Sequence, residues 1–238
     1  MRSPADLWRR LRDRRLTGRH KGGVPAFWRA YREDAARRVP GDTPVEEVGF
    51  VVLDTESTGL DYRADAVVSF GAVRLRAGVI DLAEAVDWRV RSHLPSPSVS
   101  IEVHGVLNRE LEEGLAEREF VQRLVRYVGQ AVLVGYRPGF DLALLNRIVA
   151  EHTGGRLTNP TLDVFELAMR LDYPLKPRFV HPDAYRFDRL CERFGIDASA
   201  RHTAIGDAYA TALLLAMLLE RLREAGVRTL GDLLRPYR

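Results

Sequence analysis

The chain has 238 residues, of which 46% are hydrophobic, so it is long and apolar enough to bury a sizeable core. Its one cysteine, Cys191, excludes an internal disulfide framework and a zinc site built from thiolates. The formal net charge is only +3 and no apolar run of about 18 residues occurs, so neither a uniformly basic protein nor a membrane-spanning one is expected.

Basic charge is concentrated at the start of the chain. Residues 1–40 carry 12 Lys/Arg and 4 Asp/Glu, whereas the remainder carries 24 and 29. Helices are predicted over 4–15 and 25–38, and a boundary is expected near 40–48. We therefore predict a basic helical arm over 1–47 and a main domain over 48–238. The arm could contact phosphate groups, dock on a partner or remain a solvated tail. With no apolar leader segment, a cytoplasmic location is expected.

Strands and helices follow the arm in an order typical of an α/β domain. Residues 49–53 form a short apolar run, as buried central strands do. Residues 66–76 and 79–90 alternate as strands and are joined by Ala77-Gly78, which predicts a hairpin. The later predictions are a helix over 108–129 broken near Gly114, a strand over 131–135, a helix over 140–152, a strand edge and helix over 161–171, and helices over 185–194, 203–225 and 227–234. This order predicts a mixed sheet flanked by helices.

Three stretches carry carboxylates at the ends of predicted elements. Asp54 and Glu56 are expected two positions apart where the first predicted strand ends, and because side chains alternate across a strand, both face the same side. Two acids so close repel each other and lose hydration, and a cation between them would relieve both costs. The pair alone would also fit a solvated strand end. Asp141 is expected in the first turn of a helix, where a carboxylate can also serve only the helix dipole.

The third stretch contains His202 and Asp207, five positions apart. On one helix they would diverge by about 140°. They converge only if His202 lies in the lead-in loop and Asp207 in the opening turn, with Thr203 as the N-cap. Four acids and a histidine at element ends predict one site at an edge of the sheet, and oxygen ligands favour Mg²⁺ or Mn²⁺.

These residues resemble the DEDDh family of 3′–5′ exonucleases, typified by the proofreading ε subunit of bacterial DNA polymerase III. The matching motifs over about residues 48–223 are Asp54-Thr55-Glu56-Ser57-Thr58-Gly59, Val103-His104-Gly105-Val106, Phe140-Asp141 and His202-Thr203-Ala204-Ile205-Gly206-Asp207-Ala208.

The resemblance implies a ribonuclease-H-like fold and two Mg²⁺ or Mn²⁺ ions. Asp54, Glu56 and Asp207 would hold one ion. Asp54 would bridge to the second, with Asp141 supporting it through water. His202 would be the general base. The residues implied to line the pocket for the terminal nucleotide are Thr58, Leu60, His104 and Phe140.

One departure concerns Tyr136-Arg137, where the family usually carries His-Asn. Arg137 could hold a substrate phosphate instead, or be an ordinary surface arginine. The expected function is metal-dependent release of 5′-mononucleotides from single-stranded DNA 3′ ends, with RNA trimming as the alternative. A second alternative is a weakly catalytic binding subunit, tethered to a polymerase or another protein through residues 1–47. A zinc or phosphatase-type hydrolase is disfavoured because the histidines show no His-x₃-His or His-Glu-x-x-His spacing.

Overall fold

The computed structural model describes residues 23–92, 112–173, 181–197 and 199–235. Five strands form one mixed sheet: β1 Phe50–Ser57, β2 Val67–Arg76, β3 Val79–Arg89, β4 Val132–Gly135 and β5 Thr161–Asp163. Their order is β3-β2-β1-β4-β5, in which β2 pairs antiparallel with both β1 and β3, and β4 pairs parallel with both β1 and β5. The predicted mixed sheet is confirmed.

Helices flank this sheet in the described ranges. They are α1 Ala26–Ala36, α2 Glu117–Val128, α3 Gly139–Thr153, α4 Val164–Asp172, α5 Phe187–Phe194, α6 Ala204–Glu224 and α7 Leu230–Leu233. None of them is both long and apolar enough to cross a membrane. The predicted hairpin is also confirmed, because Ala77 and Gly78 both have positive φ (51° and 75°), as a two-residue turn between twisted strands requires.

Strand alternation divides the core into two layers. Phe50 and Val52 of β1 face the layer that contains the apolar residues of α6. Val51 and Leu53 face the other layer, which contains those of α2 and α3. Every position on β1 therefore has a defined side, and even-numbered residues point toward α6.

Helix α1, inside the predicted arm, packs on the main domain. Trp28 and Tyr31 are buried, and their rings stack with centroids 4.9 Å apart. The Tyr31 hydroxyl donates to Asn159 Oδ1 (2.6 Å) and accepts from the Thr158 N–H (2.9 Å). Residues 1–22, with the helix predicted over 4–15, lie outside the described residues. The division at residue 48 stays a prediction.

The break predicted near Gly114 within the helical stretch 108–129 is confirmed, because residues 113–116 are not helical and α2 covers Glu117–Val128; residues 108–111 lie outside the described ranges. The Leu115 N–H donates to Arg89 O (2.9 Å), and Leu115 O accepts from the Arg91 N–H (2.8 Å). Because Leu115 is hydrogen-bonded to the chain at the end of β3, it cannot be part of α2, and this helix begins only at Glu117.

The segment that leads into β1 is fastened to the segment that follows α6. The Val45 N–H donates to Arg228 O (3.0 Å), the Leu230 N–H to Thr43 O (2.9 Å) and the Gly231 N–H to Gly41 O (2.6 Å). We call residues 41–45 and 228–231 the clasp. The last helix, predicted over 227–234, covers only Leu230–Leu233. It begins at Leu230 because Thr229 is its N-cap and forms a capping box with Asp232.

Candidate active site

Asp54 and Glu56 lie in the last four residues of β1, near the end of the strand, as the sequence predicts. Strand β2 pairs with β1 as far as Ser57, so the ladder continues past both acids. Strand β4 pairs with β1 only over Phe50–Val52. Both carboxylates therefore stand where one neighbour of β1 has already ended, and both point toward α6.

Asp207 reaches the same place from the first turn of α6. Thr203 is the N-cap and its Oγ1 accepts from the Gly206 N–H (3.2 Å), as expected. Gly71 of β2 is paired with Asp54, and a Cβ at Gly71 would lie 2.1 Å from the Ala204 carbonyl carbon. The start of α6 thus rests directly on the backbone of β2, beside Asp54.

Asp54, Glu56 and Asp207 form a cluster, which we call the acid cluster. Each offers one oxygen, and these oxygens all lie within 4.8 Å of one another. Burial, followed by the charges of Asp141, Asp207 and Glu56, raises the pKa of Asp54 well above its usual value. Burial, with Asp207 and Asp141, raises the pKa of Glu56 to about 7. Burial likewise raises the pKa of Asp207, against the lowering effect of Arg201.

The acid cluster fits a divalent cation. Asp207 Oδ1 is buried and lies 2.8 Å from Arg201 Nε, but it makes no well-aligned hydrogen bond with any described residue. Converging carboxylates that are costly to ionise together are relieved by a bound cation. The donors are all oxygens, the set that Mg²⁺ and Mn²⁺ prefer.

Asp141 approaches from the opposite side of β1. It lies in the first turn of α3, and its Oδ1 accepts from the Thr55 N–H (3.0 Å) and the Thr55 hydroxyl (2.6 Å). Thr55 faces away from Asp54 and Glu56, so Asp141 is not part of the acid cluster. It is close enough for its charge to raise the pKa of Asp54. Burial raises the pKa of Asp141 itself, although the bonds from Thr55 oppose that rise.

His202 lies in the loop before α6, as its spacing to Asp207 required. Its φ is +66°, a left-handed conformation that costs a non-glycine residue about 1 kcal/mol or more. Its N–H donates to Asp207 Oδ2 (3.2 Å), and its side chain is exposed. The loop is thereby tied to the acid cluster through the main chain, and the imidazole is left open to solvent.

The turn after β1 is stabilised by hydrogen bonds between its own residues. The buried Thr58 donates its hydroxyl to Asp65 Oδ1 (2.9 Å) and accepts from the Ala66 N–H (3.0 Å). Arg147 of α3 donates Nε to Tyr62 O (3.1 Å). Leu60, at the tip, is 93% exposed. The sequence interpretation missed this bracing, and an acid seven residues after Thr58 gave no clear signal.

Arg137 stands at the end of β4 on a strained backbone with φ +51°. Its N–H donates to Asp163 Oδ1 (2.9 Å), which also caps α4. Its exposed guanidinium lies 4.1 Å from the ring centroid of Phe165. Phe140 is partly buried against the core layer of α2 and α3. His104 lies outside the described residues.

Comparisons with known proteins agree with this arrangement. A sequence profile of the RNase T exonuclease family matches residues 51–215. A DNA polymerase III subunit epsilon-like protein of Rhodobacter capsulatus is 34% identical over 200 residues, covering 83% of this chain and 27% of the relative. The PolC-type DNA polymerase III of Bacillus subtilis is 29% identical over 210 residues, covering 87% and 13%. The chain thus spans less than a third of the length of these relatives.

Among solved structures, Escherichia coli exonuclease I in complex with a dT13 oligonucleotide matches with a TM-score of 0.64 and 20% identity. The match covers 76% of this chain and 43% of that one. It confirms the predicted ribonuclease-H-like fold. Because the family profile spans well over half of the sequence, from β1 into α6, the chain belongs to the RNase T exonuclease family.

Proposed function

We propose that the protein is a divalent-metal-dependent 3′–5′ exonuclease that releases 5′-mononucleotides from the 3′ ends of single-stranded DNA. The observation that carries this proposal is the acid cluster, in which oxygens of Asp54, Glu56 and Asp207 lie within 4.8 Å of one another. Membership of an exonuclease family supports the reaction class. Exonuclease I, which shares the fold, has been solved with dT13, and this supports single-stranded DNA as the substrate class.

The residues have separate tasks in this proposal. Asp54, Glu56 and Asp207 would hold one Mg²⁺ or Mn²⁺, and Asp54 would also hold a second, which Asp141 would support through water. Bound there, the pair of ions would activate the attacking water and stabilise the departing 3′ oxygen. His202 is the general base that takes the proton of that water, and its exposed side chain leaves it accessible. Thr55 fixes Asp141 by two hydrogen bonds, so that carboxylate needs little reorganisation.

The terminal nucleotide would be held by the rim of the site. Leu60 projects from a turn fixed by the bond between Thr58 and Asp65, so it offers an apolar contact at a defined place. Phe140 and His104 would complete this pocket. Arg137 would contact a substrate phosphate, since its guanidinium is exposed and is oriented by Phe165. Arg137→Ala should therefore raise KM for DNA several-fold with little change in kcat.

The test is digestion of a single strand labelled at its 3′ end and, separately, at its 5′ end, in Mn²⁺, with matched DNA and RNA sequences. We expect immediate release of labelled mononucleotide from the 3′-labelled strand and a descending ladder from the 5′-labelled strand. Asp54→Asn and Asp207→Asn should abolish both. Glu220→Gln, an exposed acid 13 residues after Asp207 on α6, is the matched control and should retain activity.

His202→Ala should lose about 10²–10⁴ in rate if His202 is the general base. Faster digestion of the RNA strand would favour RNA trimming over the DNA activity. A wild-type protein that binds both strands but cleaves neither would favour the binding-subunit alternative. Endonucleolytic fragments of internal length would contradict the proposed polarity.

We also propose that residues 1–47 contact a polymerase or another protein. Trp28 and Tyr31 are already buried against the main domain, so a partner would meet the outer face of α1, where Arg29 and Arg32 are exposed. Pull-down with a purified polymerase, comparing the wild type with a double Arg29→Glu, Arg32→Glu variant, tests this contact. Equal capture of both would exclude that face of α1 as the contact.

A further inference from the structure

Arg201, just before His202, links the acid cluster to α5. Its Nε lies 2.8 Å from Asp207 Oδ1, and its Nη1 pairs with Asp188. Its guanidinium lies 4.6 Å from the ring centroid of Phe187, so a ring and a carboxylate of α5 hold it from the far side. The arginine side chain is only 22% exposed. It is a fixed positive charge beside a carboxylate of the acid cluster.

Both oxygens of Asp207 already face donors of the preceding loop. Oδ2 accepts from the His202 N–H, and Oδ1 faces Arg201. Arg201 Nε and Asp207 Oδ1 are buried and form no well-aligned hydrogen bond, so their attraction is mainly between charges. A cation that binds Asp207 would have to share the carboxylate with the guanidinium. Two positive charges held this close repel each other.

We propose that Arg201 is a built-in competitor for Asp207 that sets the divalent-metal concentration at which the acid cluster fills. This inference rests on the proposed metal-dependent function and adds a regulatory element to it. Arg201 is also a positioning residue, because the loop it anchors carries His202. Removing the guanidinium should therefore have two opposite effects: metal binds more tightly, and catalysis becomes slower.

Asp188 gives a second variant with the opposite sign. It shares the guanidinium with Asp207, and its side chain is 67% exposed, so Asp188→Asn should fold normally. Without the Asp188 charge, Arg201 should pair more strongly with Asp207, and metal should bind more weakly. Arg201→Lys keeps the charge and should remain near the wild-type affinity. Arg189→Ala removes an exposed arginine of α5 that pairs with Glu192, and it is the matched control.

The experiment is titration of the full chain with Mn²⁺, followed by electron paramagnetic resonance in the absence of nucleic acid, beside a kinetic assay on single-stranded DNA. We expect Arg201→Ala to lower the Kd for Mn²⁺ by about 5-fold or more and to lower kcat by about 10-fold or more. Asp188→Asn should raise the Kd, and Arg189→Ala should leave both quantities unchanged.

Unchanged or weaker Mn²⁺ binding by a folded Arg201→Ala, as a purely structural role predicts, would overturn the inference while leaving the proposed nuclease function intact. If circular dichroism shows that Arg201→Ala is unfolded, the Asp188→Asn titration decides alone, and a Kd equal to or below the wild type overturns the inference. Absence of Mn²⁺ binding by the wild type would instead overturn the proposed function.

Discussion

The replacement Gly71→Ala tests whether the acid cluster depends on how closely α6 approaches β2. A Cβ at Gly71 would lie 2.1 Å from Ala204 C, 2.2 Å from Ile205 N and 2.3 Å from Ala204 O. These are backbone atoms, which no rotamer change can move. Normal contact begins near 3.4 Å, so the start of α6 would have to retreat from the sheet by more than about 1 Å.

That retreat would carry Asp207 away from Asp54, which is paired with Gly71. Metal–oxygen distances near 2 Å tolerate only a few tenths of an ångström, so one shared ion could no longer be held. We expect the rate of mononucleotide release to fall about 10²-fold or more and Mn²⁺ affinity to fall with it. The overpacking should also cost about 1–3 kcal/mol of stability.

The assay is single-turnover digestion of a 5′-labelled strand across a Mn²⁺ titration, with urea unfolding in parallel. Gly49→Ala, at the entry to β1, is the matched control, because nothing lies within 4 Å of its added Cβ. Wild-type rate and Mn²⁺ dependence in a folded Gly71→Ala protein would refute the claim that this glycine sets the position of Asp207.

Three further perturbations follow from the structure. Burial raises the pKa of Glu56 from 4.5 to about 7. Between these two pH values the carboxyl of Glu56 is protonated in the folded chain and ionised in the unfolded chain. In EDTA, the free energy of unfolding should therefore fall by up to about 3 kcal/mol as the pH rises through that interval. Glu56→Gln should flatten this slope in urea titrations, and an unchanged slope would assign it to other groups. Thr55→Val removes the 2.6 Å hydroxyl bond to Asp141 and should cost about 2 kcal/mol by urea unfolding together with a measurable loss of rate. Full activity at wild-type stability would show that Asp141 does not need this support. Trp28→Ala should lower stability by about 3 kcal/mol or more if α1 is part of the folded unit, whereas an unchanged midpoint would place α1 outside it.

The sequence predicted which face of β1 carries the acids, but not how far this strand pairs with each of its neighbours. Asp54 and Glu56 were placed on one face correctly because strand alternation is strict. The unequal pairing of β1 with its two neighbours was not predicted: β2 pairs with it as far as Ser57, whereas β4 pairs with it only as far as Val52. Pairing partners that are distant in sequence leave no local signal.

The supporting contacts were missed for a related reason. Gly71 carries a weak signal, since a glycine inside an apolar strand often marks close approach of another backbone, but the sequence does not say which backbone. Arg201 lies beside His202 and gave no signal of its own, because its partners Asp188 and Phe187 come from a different helix. The hydrogen bond between Thr58 and Asp65 could have been predicted only by knowing that the turn after β1 folds back on Thr58.

The clasp has a mechanical consequence for how the domain can be attached to other proteins. It joins the chain before β1 to the chain after α6, at the opposite end of β1 from Glu56. The six residue steps from Phe50 to Glu56 put the start of β1 about 20 Å from Glu56. Linkers joined to the two segments of the clasp would begin next to each other. The domain could therefore be inserted into a larger polypeptide through two adjacent linkers. The end of β1 that carries Asp54 and Glu56 would then lie away from the point of attachment.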